Sequence, residues 1–182
     1  YARYKRSGGT LARDDWRREN IDRFVERVYR EVKRERPDVK VGISPFGIWR
    51  PGEPASVKGT DAYALLYADS RRWLREGWVD WLAPQLYWRV DAPDQGFDAL
   101  LDWWLAQDTL GRHVWPGLTP NRIAAEGHDW KADEVLEQVR RTRALSRRGA
   151  SGHALYSARA LLENRDGIAD RLERELYAEP AL

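Results

Sequence analysis

The chain has 182 residues, 42% of them hydrophobic, with 31 Lys and Arg against 29 Asp and Glu, a length that suits one domain with a sizeable core, or part of one. A formal charge of +2 argues against electrostatically driven nucleic-acid binding and against an acidic disordered chain. Cysteine is absent, which removes disulfides, thiolate metal sites and cysteine nucleophiles, and no apolar run reaches the roughly 18 residues of a membrane span. The first residue is Tyr1 and no Met occurs, so the chain is read as a piece of a longer polypeptide.

From Asp14 to Glu35, Ile21, Phe24, Val25, Val28, Tyr29 and Val32 recur at helical spacing among Arg and Glu, and the run stops before Pro37; the spacing predicts an amphipathic helix. Val39 to Pro45 is a short β-branched run that predicts a buried strand, followed by a long loop through Gly47 and Pro51. The pattern then repeats. A helix is expected over Asp61–Glu76, a strand over Trp78–Trp88, a helix over Phe97–Thr109, and a strand over His113–Thr119. A helix over Ala132–Arg148, a strand over His153–Ser157 and a helix over Ile168–Tyr177 complete the series.

Counted from Val39, Val79, His113 and His153, the strand starts lie about 34 to 40 residues apart, the length of a βα unit. Four such units after one leading helix imply a parallel sheet covered by helices, either an open doubly wound sheet or a (β/α)-barrel. A complete eight-unit barrel takes roughly 250 residues, so this chain holds about half of one. The glycines from Gly42 to Gly52 are interrupted by Pro45 and Pro51 and open no helix, which lowers the dinucleotide-binding reading.

In parallel α/β folds chemistry gathers at the carboxyl ends of the strands. There the sequence places Trp49 and Arg50, then Gln85, Tyr87, Trp88 and Asp91, then Asn121 and Arg122, and finally Tyr156. Flat rings suit the apolar C–H faces of a sugar, and amides and guanidiniums suit its hydroxyls or a carboxylate. The plainer account is that the same rings fill a helix–sheet interface, which would bury Trp49 and Trp88 against helices.

Five stretches carry a resemblance: Asp15-Trp16-Arg17-Arg18-Glu19-Asn20, Gly42 through Arg50, Tyr67-Ala68-Asp69-Ser70, Gly77-Trp78-Val79-Asp80, and Ala83-Pro84-Gln85-Leu86-Tyr87-Trp88. In this order they resemble the motifs of the glycosyl hydrolase-like family 10 domain, found in bacterial cell-envelope proteins. The resemblance implies the C-terminal half of a (β/α)8 barrel spanning residues 1–182 as part of one domain. It implies a glycoside hydrolase acting on a polysaccharide such as peptidoglycan glycan strands, outside the cytoplasm, whether periplasmic, secreted or lipid-anchored. It also implies an acidic Asp-Asp-Tyr motif just ahead of Tyr1, outside this chain. A non-catalytic glycan-binding domain is the alternative.

Glycosidic hydrolysis uses two carboxyl groups, about 5 to 5.5 Å apart for retention and about 6.5 to 9.5 Å for inversion. Asp91 is the best-placed carboxylate at these strand ends; Glu53, Glu126 and Asp129 lie further out in loops, and Gln85 is an amide. Asp14 and Asp15 read as helix-start carboxylates, and Asp69 and Asp80 as structural, Asp69 in mid-helix and Asp80 early in its strand. Pro45 denies Ser44 the N–H that would follow a nucleophile. The spacing of His113, His128 and His153 matches no metal site, so neither metal nor cofactor is expected. The Arg140–Arg148 run reads as a solvated helix face. The expected partners are a glycan, the remainder of the barrel, and a second copy meeting this one through open sheet edges; neither a nucleic acid nor a membrane span is expected.

Overall fold

The computed structural model describes residues 1–178; residues 179–182, included in the expected domain, lie outside the described residues. In chain order the helices are α1 (Ala2–Arg6), α2 (Arg13–Glu35), α3 (Ala62–Leu65), α4 (Ser70–Arg75), α5 (Phe97–Gln107), α6 (Ala132–Ala144), α7 (Ala158–Leu162) and α8 (Ile168–Leu176). The strands are β1 (Gly42–Ile43), β2 (Trp81–Leu82), β3 (His113–Val114), β4 (Gly117–Leu118) and β5 (Ala154–Leu155). β1, β2 and β3 pair in parallel, with Gly42 opposite Trp81 and Trp81 opposite His113, and β4 pairs in parallel with β5. Bridges from Phe46 to Gln85 and from Gln85 to Gly117 carry the same registers onward. Four consecutive stretches therefore lie side by side in sequence order, all parallel and interleaved with helices, which makes this an α/β fold.

The regular strands are shorter than the sequence suggested because each of three carries a proline in the same row. Pro45, Pro84 and Pro116 stand immediately before the bridged Phe46, Gln85 and Gly117. Their carbonyls still accept, from Gln85 N–H at 3.0 Å, Gly117 N–H at 2.8 Å and Ala154 N–H at 3.1 Å. Lacking an N–H, each proline deletes one rung of the ladder. Pro116 also divides the expected His113–Thr119 strand into β3 and β4.

Side chains alternate across the sheet. Leu82, Val114 and Leu118, each 0% exposed, face the helices and pack with Leu100, Leu101 and Trp104 of α5 and Val135, Leu136 and Val139 of α6. The opposite face carries Gly42, Trp81, His113 and Trp115; the Trp81 and Trp115 rings stack at 5.3 Å, and His113 stacks on Trp115 at 5.4 Å. At the edge, α2 sets Val25 against Trp73 and Trp78. Buried Asp22 accepts from Trp73 Nε1 at 2.6 Å and from Arg72 at 2.9 Å.

The expected Asp61–Glu76 helix is two helices. Tyr67 takes a φ of +54° between them, and Asp69, expected in mid-helix, caps α4 by accepting from Arg72 N–H at 3.3 Å. Asp80 is structural, as expected: it accepts from Val41 N–H at 2.7 Å and pairs with Lys33 at 2.6 Å. Burial works against its charge, yet Lys33, the Val41 N–H and Lys40 hold its carboxyl below the usual range. The Arg140–Arg148 run does lie on an ion-paired outer face, with Arg140 on Glu175, Arg141 on Glu137 and Arg148 on Asp102.

Candidate functional site

The carboxyl ends of the strands bring together part of the expected group. Tyr87, two residues beyond the Gln85 bridge, and Tyr156, one residue past β5, stack with ring centroids 6.0 Å apart and planes 23° apart. Tyr156 is 60% exposed, so the pair offers an open aromatic surface. Burial, and then Tyr156, push the Tyr87 phenol above its ordinary pKa, keeping it protonated as a hydrogen-bond donor at neutral pH. The Tyr156 N–H donates to the Leu118 carbonyl at 2.8 Å, which fixes the end of β5 beside β4; the Tyr156–Ser157 peptide is cis.

Polar groups flank this surface. Gln85 Nε2 donates to the Ser44 carbonyl at 3.0 Å, which leaves its Oε1 unused by that bond. Pro120 opens a single 3-10 turn, Pro120–Arg122, straight after β4, and its fixed φ suits that first position. The turn delivers Asn121 and Arg122. Asn121 Oδ1 accepts from the Ser157 hydroxyl at 3.2 Å and its backbone carbonyl from Arg165 at 3.0 Å. Arg122 donates to the Tyr87 carbonyl and lies 5.4 Å from the centre of the Trp130 ring.

Other expected members are engaged by different partners. Trp49, 9% exposed, is part of the helix–sheet core, stacked at 5.8 Å on Trp103 of α5, with Arg71 over the ring at 4.9 Å. Its Nε1 donates to Asp69 at 2.9 Å. The correction has a plain cause: Gly47 brings the loop close to the sheet, its carbonyl accepting from Trp104 Nε1 at 2.8 Å, and the next turn of chain carries Trp49 inward. Trp88 is partly buried edge-on against Phe46 at 5.6 Å. Arg50 pairs with Asp61 at 3.4 Å and lies over Tyr63. Asp91, 75% exposed at its side chain, pairs with Arg89 at 3.1 Å in a network that includes Asp129. It shares no hydrogen bond with Gln85, Tyr87, Asn121 or Tyr156 among the described residues.

Two features were not read from the sequence. Trp130 supports Arg122 from across the loop, held by a bridge between Ile123 and Trp130; no local spacing announces that contact. The Trp81–Trp115 layer is signalled only by strand parity, both residues falling on the face away from the helices. Among the described residues, no cluster of three or more His, Asp or Glu side chains is arranged to hold a metal ion.

Comparison with known proteins gives a consistent answer. A family model described as Glycosyl hydrolase-like 10 matches residues 1–135. Glycosyl hydrolase YngK of Bacillus subtilis (strain 168) is 36% identical over 178 residues, which covers 93% of this chain and 34% of YngK. Glycosyl hydrolase DigH of Escherichia coli (strain K12) is 38% identical over 106 residues, 56% of this chain and 24% of DigH. The chain thus spans about a third or less of the length of these curated relatives.

Proposed function

The chain belongs to the Glycosyl hydrolase-like 10 family, and from that membership we propose that it is the C-terminal half of a (β/α)8 barrel and supplies the sugar-contacting part of a glycoside hydrolase. A glycoside hydrolase-related role follows from the family itself. The finer reading is that the complete protein hydrolyses a glycosidic bond of a bacterial polysaccharide, peptidoglycan glycan strands being the proposed substrate, at the cell envelope. The observation that carries it is the Tyr87–Tyr156 stack at the strand ends, with Tyr156 exposed and Tyr87 partly buried, flanked by Gln85, Asn121 and Arg122. Stacked phenols take the C–H face of a sugar ring, and the amides and guanidinium take its oxygens. The barrel reading is supported by four parallel stretches in consecutive order, the arrangement a barrel requires.

The acid pair is proposed to come from outside these residues. No carboxylate hydrogen-bonds to Gln85, Tyr87, Asn121 or Tyr156 among the described residues, and Asp91 is engaged by Arg89. The same observation favours a second reading, a non-catalytic glycan-binding domain.

The test measures cleavage and binding of purified wall glycan strands by the complete polypeptide and by this chain. Cleavage by the complete protein alone, with strand binding that falls about tenfold in Tyr156→Ala, supports the hydrolase. Binding without cleavage by either supports the second reading, and binding by neither overturns both.

A further inference from the structure

The guanidiniums around the strand ends are nearly all neutralised. Arg50 faces Asp61, Arg89 faces Asp91 and Asp129, and both Arg159 and Arg165 face Glu163. Arg122 differs: its contacts are one hydrogen bond to the Tyr87 carbonyl and the face of Trp130, and no carboxylate lies within ion-pair reach of it among the described residues. A guanidinium carries five N–H donors, so most of this one's are unused. None of its nitrogens is a buried atom lacking a partner, so the unused donors open to solvent rather than into the core. Trp130 itself is 4% exposed, a firm base that holds the guanidinium in place. The result is a partly buried, positioned and uncompensated cation attached to the backbone of the residue that supplies one ring of the aromatic surface.

Hydroxyl groups alone do not call for such a cation, since Gln85 and Asn121 offer neutral partners. A planar fork of donors matches a carboxylate, and charge-assisted pairs of this kind are about twice as strong as neutral ones. We infer that Arg122 is the specificity-determining residue of this site and that it seats a carboxylate borne by the sugar stacked on Tyr87 and Tyr156. The inference rests on the glycan reading above and narrows its substrate to an acidic glycan.

The test uses the complete polypeptide and one polymer in two forms: wall glycan strands with their carboxylates intact, and the same strands with those carboxylates converted to amides. Binding is followed by calorimetry at two salt concentrations. The expected result is about tenfold weaker binding to the amidated strands, matching one charge-assisted contact. Arg122→Gln should lose that preference and Arg122→Lys should keep part of it, with melting temperature recorded for each. Equal binding of both forms by the unmodified protein overturns the inference and leaves the glycan reading standing. Discrimination that survives in a folded Arg122→Gln overturns the assignment to Arg122, and binding of neither form overturns the glycan reading together with the inference.

Discussion

His153 shows how one side chain sets a pH response. Its ring lies parallel to Tyr177 at 6.0 Å and its Nε2 meets the Tyr177 hydroxyl, while Arg143 sits over the same tyrosine at 5.1 Å. Burial, and then the Arg143 charge, push its pKa down to about 4, against about 6.5 in an unfolded chain. The unfolded chain therefore binds the proton more readily, and stability contributed by neutral His153 is full above about pH 6.5 and is lost as pH falls toward 4. Melts recorded between pH 7 and 4 should show this decline, and His153→Gln should flatten it. Equal slopes in the two proteins would assign the decline to other groups.

Elements in this protein are placed by close approach as much as by hydrogen bonding. A Cβ on Gly47 would stand 2.2 Å from the Gln85 carbonyl oxygen, and one on Gly42 would meet the Trp81 ring at 1.9 Å. Backbone cannot yield as a flexible side chain can, so Gly47→Ala should cost about 3 kcal/mol in denaturant unfolding; a loss under about 0.5 kcal/mol would show that the loop after β1 shifts freely. Three of the helices were legible because their apolar spacing is local: α2, α5 and α8 lie within two residues of the expected bounds, whereas the short α1 and α7 carry too few turns to show a period. The later strand starts were legible, β3 at His113 and β5 one residue after His153, whereas β1 and β2 begin three residues after Val39 and Trp78; strand lengths were not legible, because Pro45, Pro84 and Pro116 act as a row only once the register aligns them. The break at Tyr67 required a φ of +54° in a residue that seldom adopts it. Within the site, position along a strand located Gln85, Tyr87 and Tyr156. Trp49 lies inward because of Asp69 and Trp103, partners 20 and 54 residues away.

At the scale of the whole molecule, the helices among the described residues pack against one face of the sheet, the face of Leu82, Val114 and Leu118. The other face presents partly exposed Trp81 and Trp115 with His113, and β1 and β5 end the array without strand partners on their outer sides among the described residues. Open parallel edges and an uncovered aromatic face favour pairing with further chain. Residues 1–182 alone should therefore self-associate, seen as concentration-dependent sedimentation; a monodisperse monomer that melts cooperatively would overturn this. In the proposed barrel the same face is interior, and the rings lie flat over glycine: a Cβ at Gly152 would stand 3.3 Å from Trp115. Side-by-side indoles at 5.3 Å, with planes 21° apart, couple their electronic transitions. The floor of the sheet thus carries its own optical gauge, whose emission should turn bluer and resist acrylamide quenching if the proposed barrel closes over it in the complete polypeptide.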